Sequence, residues 1–272
     1  MNNKEIYLSL LPKYKLAVNQ FVKQTKFRNI INYNEDVIEI KISAKDRTDE
    51  TVLEISREIT DILMKVIKDV ILKEYIQKSY GDKYKQEIEK IYLKSLEGFE
   101  KKDLLLREII FCRINDYILN NDHIDVDGFV KFRMKELMGY ISNICEDALE
   151  EHLIEKDYDE FISVLRYFIN VQENKIDTLK VYIRKDNSFI LYDKNDNIIE
   201  NENDEELINM FIKENLNYED FLISTLLSLC PNHIIIYDSL QTNSSREIID
   251  TIKAIFEEKV EEKINLKIEK MY

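Results

Sequence analysis

The sequence predicts a mainly helical α+β protein, with a helical core packed with a C-terminal unit that contains a small mixed sheet. Three observations carry this reading. Apolar residues recur at threes and fours through most of 45–172, they alternate after Gln172, and they alternate again in two short runs near the N-terminus. The expected organisation is a strand-helix-strand element over 1–44, a helical core over 45–172 and an α+β unit over 173–272.

In the first segment Ile6, Leu8 and Leu10 alternate as a strand, Pro12 punctuates, and Leu16 to Val22 suit a short helix. Val37 to Ile42 alternate as a second strand. Such a piece must lean on the rest for stability. Thr48 then suits an N-cap, followed by Asp49 and Glu50 in the first turn and by an apolar stripe at Val52, Ile55, Ile59, Ile62, Val66 and Val70. That helix is expected to end near Gly81. Residues 83–120 read as two helices or one kinked one, with Gly98 the natural break and a second half whose wide apolar face includes Leu104, Leu105, Ile109, Ile110 and Ile114.

Residues 121–172 are the centre of the chain. Asp127 is placed to cap a helix whose stripe runs through Val130, Met134, Leu137, Ile141, Ile144 and Ala148. A second start signal stands at Asp157, with Glu160 three residues on. Phe161, Leu165 and Phe168 line the face that follows, widened by Tyr158, Ile162 and Ile169, and faces this broad are expected to be buried. Gly139 in mid-helix implies the close approach of another backbone.

After Gln172, Leu179, Val181 and Ile183 pair with Phe189 to Tyr192 as a hairpin across Lys185-Asp186-Asn187. An acidic loop over 193–206, a helix over about 205–215 and another over 219–229 lead to the buried-type strand Ile234 to Tyr237. Ser244 to Glu247 form a capping box that opens a helix to about Glu258. Ile264, Leu266 and Ile268 alternate as the last strand. A strand, helix, strand order is expected to cross over right-handed if the strands lie parallel.

Composition bounds the chemistry. At 272 residues, 44% hydrophobic and 34% charged, the chain is globular and large enough to bury a core. A net charge of −14 opposes a broad electrostatic grip on nucleic acid or on an anionic membrane. Lys131, Arg133 and Lys135 form a local basic run, but a spacing of two spreads them around a helix. The N-terminus lacks a signal-peptide pattern, and no apolar run reaches the ~18 residues of a membrane helix. Cys112, Cys145 and Cys230 are widely spaced and read as reduced core thiols. The expected location is the cytoplasm.

No catalytic constellation is recognisable. His123, Asp125, Asp127 and Gly128 echo part of a calcium loop, yet position one is His123 and position twelve is Met134 rather than glutamate. Neither His123, His152 nor His233 stands at metal-ligand spacing from another. There is no G-x-G loop and no G-x-S-x-G elbow. No metal and no cofactor are expected.

Asp238 follows an apolar strand, where open α/β sheets place ligand-contacting residues; its alternative role is a local turn before the capped helix. Arg133 and Arg166 sit in apolar helical stretches with Glu155 and Glu160 as possible partners. They read either as internal ion pairs that set helix register or as part of a groove that grips an acidic partner segment or an anion.

A family resemblance runs through the same stretch: Asp127-Gly128-Phe129, Phe132-Arg133, Glu155-Lys156, Tyr158, Glu160-Phe161-Ile162, Leu165-Arg166-Tyr167-Phe168 and Gln172. In these residues, and more weakly in Asp220 to Ser224 and Pro231 to Ile236, the chain resembles the YtxC-like family of sporulation proteins from endospore-forming bacteria. The cysteine-bearing tail associated with that family is missing here, where Val260-Glu261-Glu262-Lys263 stand, so no metal or redox role follows. The resemblance implies a process, sporulation, and not a reaction. The reading is therefore a non-enzymatic interaction protein with an unidentified protein partner. Its alternative is an enzyme of unrecognised class with a cleft between helical core and C-terminal sheet.

Overall fold

The computed structural model describes residues 4–22, 25–44, 48–184, 188–199, 218–238 and 243–264. The chain divides into two compact units, Met1–Glu155 and Lys156–Tyr272, each with its own apolar core. It is a mainly helical α+β protein with two mixed four-stranded sheets.

The first sheet follows from alternation. In β1 (Lys4–Leu10) every second residue, Ile6, Leu8 and Leu10, is buried. After α1 (Lys15–Val22) and β2 (Arg28–Tyr33), the same pattern recurs in β3 (Ile38–Ala44) at Ile38, Ile40 and Ile42. β1 and β3 pair antiparallel with Leu8 opposite Ile40, so both apolar sets share one face. The sheet has two strands beyond those expected. β2 extends it past β3, and β4 (His123–Asp125) pairs parallel to β1. Polar residues interrupt the alternation in β2, and β4 is too short for a period to register.

The helices of this unit pack on that face and on one another in a single core. Thr48 caps α2 (Asp49–Val66), its side chain accepting from the Thr51 amide at 3.3 Å. The helix passes through a π-turn at Ile67–Ile71 into α3 (Leu72–Tyr80), which ends at Gly81 as expected. α4 (Ile88–Lys101) runs straight through Gly98, and the break before α5 (Asp103–Ile118) falls at Lys102. In α5 the buried residues are Leu106, Ile110, Ile114 and Ile118, a strict four-residue ladder; Leu104 is 86% exposed. The wide face expected there is a narrow one.

The central stretch also differs. Asp125, not Asp127, caps α6 (Val126–Arg133), accepting from the Gly128 amide at 2.6 Å. Met134 leaves the helical conformation, with φ −117° and ψ 38°. It divides the expected single stripe between α6 and α7 (Lys135–Val171), a continuous helix with no break at Asp157. The close approach inferred at Gly139 lies at Gly98 instead: a Cβ there would stand 3.1 Å from Ile144 Cγ2, whereas nothing lies within 4 Å of a Cβ built at Gly139.

In the second unit β5 (Ile176–Ile183) forms the expected hairpin with β6 (Phe189–Tyr192). After α8 (Tyr218–Leu229), β7 (Pro231–Asp238) pairs parallel to β5. α9 (Asn243–Phe256) then leads to β8 (Val260–Ile264), parallel to β7, which gives the order β6-β5-β7-β8. The expected helix at 205–215 and the alternation at Leu266 and Ile268 lie outside the described residues. Leu179, Val181, Ile234 and Ile236 share a core with Ile162 and Ile169 of α7 and with Ile249 and Ile252 of α9.

Of the three cysteines, Cys145 and Cys230 are buried, whereas Cys112 is exposed. Tyrosines are also part of the packing. Burial, helped by donation to Asp127 at 2.8 Å, holds the Tyr14 hydroxyl far above its ordinary pKa, and burial pushes Tyr80 and Tyr182 up to about 12. The unfolded chain ionises its tyrosines near ~10. Folding therefore favours the protonated groups, and the stability they contribute is full below pH ~10 and lost as pH rises through their folded values. Alkaline titration followed by tyrosinate absorbance and circular dichroism should show a late group that ionises together with unfolding. A single normal step in an intact fold would contradict the packing described.

Candidate functional site

The break at Met134 creates the site. Met134 is buried at 1% exposure, and this anchor turns its neighbours outward: Phe132 is 67% exposed, and Arg133 and Lys135 are exposed. They face the last turns of α5. Arg113, Asp116, Tyr117, Asn120 and Asn121 from α5 and its end, with Phe132, Arg133, Lys135 and Glu136, line a cleft of about 590 Å³.

The Arg133 guanidinium lies over the Tyr117 ring, 4.6 Å from its centroid. Tyr117 is steadied edge-on by Phe129, with ring centroids 5.2 Å apart. The ring attracts the guanidinium, whose N–H groups can still donate to an acceptor. Among the described residues Arg133 has no carboxylate partner. Arg113 is engaged with Glu136 at 3.2 Å, and the Lys131 ammonium leans over the Phe132 ring at 5.4 Å. The cleft thus gathers Arg113, Arg133 and Lys135 against Asp116 and Glu136, one positive charge in excess on a chain of net charge −14. The expectation that a spacing of two separates Arg133 from Lys135 is corrected here. It assumed one helix, and the helix is interrupted between them.

The structure places the other candidates elsewhere. Glu155 accepts from Lys94 at 2.7 Å, which also meets Glu151 at 3.5 Å. Arg166 donates from Nε to the Ala254 carbonyl at 2.6 Å and pairs with Glu257 at 3.1 Å, so it holds the C-terminal turn of α9. Neither arginine is paired with Glu155 or Glu160 as the sequence suggested. Asp238, at the carboxyl end of β7, is 2% exposed and accepts from Ser245 Oγ at 2.9 Å. Asp125 and Asp127, the calcium-loop candidates, are occupied by the Gly128 amide and the Tyr14 hydroxyl. His123 is 2.9 Å from Ser9 Oγ, His233 is 3.4 Å from Glu261, and His152 is buried. Among the described residues no three His, Cys, Asp or Glu side chains gather where a metal ion could be held.

Only Arg133 of the four candidates lies in the cleft. Arg113, Tyr117 and Lys135 were not singled out by sequence reasoning as parts of one site. The signal that could have found them is the polar end of α5, Asn120-Asn121, which marks where that helix opens beside the next one.

Residues 53–261 match the model of the YtxC-like family, more than half of the chain. The chain belongs to the YtxC-like family. The match takes in the cleft, Arg166 and Asp238. A curated relative, "Uncharacterized protein YtxC" of Bacillus subtilis (strain 168), is 26% identical over 164 residues, 60% of this chain and 56% of the relative. The matched stretch thus spans about half the length of that YtxC relative. No solved structure matches the chain. Among the described residues no helix is long and apolar enough to cross a membrane.

Proposed function

We propose that this YtxC-like protein acts in the cytoplasm during sporulation, without catalysis, by binding a protein partner through the cleft at the α5 end and the α6–α7 junction. The observation that carries the reading is Arg133, held over the Tyr117 ring beside the exposed Phe132. An apolar anchor next to an arginine is a combination enriched at interfaces. The cleft suits an acidic segment, a carboxylate engaging Arg133 and an apolar side chain resting on Phe132. Sporulation is the process that the family resemblance implies, carried by Phe132-Arg133 among other residues.

The test replaces Arg133 by glutamate in a spore-forming host that lacks its own copy. The side chain is exposed, so the melting temperature should stay within a few degrees of wild type. Spore yield should fall to that of the deletion, and an acidic peptide carrying one leucine should lose about tenfold or more in affinity. A folded Arg133→Glu protein that supports wild-type sporulation would overturn the proposal.

A further inference from the structure

Arg113 of α5 and Glu136, in the first turn of α7, meet among the residues that line the cleft. They do so through one contact, a 3.2 Å donation from Nη2 to Oε2. Their side chains are 49% and 71% exposed. An exposed pair of this kind shifts an equilibrium by about fivefold at most, because water competes for both partners and two long side chains must be held still. Arg107, earlier in α5, shows the contrast. Its guanidinium donates from Nε to Asp103 at 2.6 Å and from Nη1 to Asp61, so two carboxylates hold it. Among the described residues Arg113 has one carboxylate partner, and that partner is the more exposed member of the pair.

Glu136 does not depend on the pair. It stands at the positive end of the α7 dipole, where unpaired amide groups favour a carboxylate with or without an arginine. Its release frees the Arg113 guanidinium in the same cleft that holds Arg133 over Tyr117, all within the Met1–Glu155 unit.

We infer that Glu136 is a built-in competitor, occupying Arg113 as a second carboxylate of the bound segment would, and so holds down the affinity of the cleft for segments that carry two carboxylates. This rests on the reading that an acidic segment binds there. One carboxylate of the segment engages Arg133. The second takes the place of Glu136 on Arg113, and Glu136 falls back on the amides of its own helix start. That exchange trades one arginine–carboxylate contact for another, so the second carboxylate adds little while Glu136 competes. A segment with a single carboxylate leaves the Arg113–Glu136 pair in place and draws only on Arg133 and Phe132.

The experiment is fluorescence anisotropy of short glycine–serine peptides on the full chain, at low salt, where exposed charges are least screened. Each peptide carries one leucine and one aspartate, and in a positional series a second aspartate replaces each glycine or serine in turn. The readout is the affinity of the best two-aspartate peptide divided by that of the one-aspartate peptide. Glu136→Gln should raise this ratio by about three- to fivefold, the worth of one exposed ion pair freed from competition. Arg113→Gln should bring the ratio to about one, alone or combined with Glu136→Gln, since no second guanidinium remains for the added aspartate. The two substitutions read the pair from opposite sides, so either one decides. A pair that only ties α5 to α7 would change the melting temperature and leave the ratio unmoved. Wild type that binds none of the peptides overturns the acidic-segment reading and the inference with it. Wild type that binds the one-aspartate peptide, with a ratio that neither substitution moves at any position, overturns the inference alone.

Discussion

Phe99→Ala should lower the stability of the Met1–Glu155 unit by about 3–5 kcal/mol, among the largest effects expected of a single truncation among the described residues. Phe99 has no exposed surface and lies in α4 directly beside Gly98, where a Cβ would already stand 3.1 Å from Ile144. The Lys68 ammonium rests over the ring, 5.3 Å from its centroid. Removing the ring deletes apolar contact on all sides. The neighbouring helices are joined by short turns and part of a shared core, so they can close only part of the void. Urea denaturation reads the loss directly. A value under about 1 kcal/mol would mean that the site collapses freely and that α4 is not locked against α7 as described.

Asp238→Ala should be the most damaging polar change in the second unit. The carboxylate is almost fully enclosed, and Ser245, itself 2% exposed, donates to it. Alanine leaves the Ser245 hydroxyl without this acceptor and opens a small cavity at the end of β7, for a combined cost of about 2–4 kcal/mol. Asp238→Asn keeps an oxygen for Ser245 and should cost less than half as much. The ordering of the two variants in thermal melts decides between the roles that the strand-end position allows. A wide gap marks Asp238 as the residue that ties β7 to the start of α9. An Asp238→Ala protein as stable as wild type would return it to the list of ligand-contacting residues.

Much of the fold was legible because its signals are local. Ile6, Leu8 and Leu10 alternate, Val52 through Val66 recur at threes and fours, and Thr48 caps; each depends only on neighbours in sequence. The missed elements are those without local signals. β2 is too polar, and β4 is three residues that become a strand only because β1 offers an edge. Gly98 and Gly139 show the same limit. Both are glycines inside helices, and only packing distinguishes the one that faces Ile144 from the one that faces solvent.

The candidate site was legible in part. Arg133 and Phe132 stood out through the family resemblance, but their partners did not, because Tyr117 and Arg113 reach them across a helix corner. Arg166 drew the same reading from sequence and has a different place, bound to the end of α9. What the sequence by itself determined about this protein is the mainly helical α+β class, the apolar periods of its elements and its family. Only the tertiary structure decided where Met134 breaks the central helix and which side of α7 meets a core. Phe161 and Ile162 are equally apolar, and periodicity records that a helix has an apolar side without recording what packs on it.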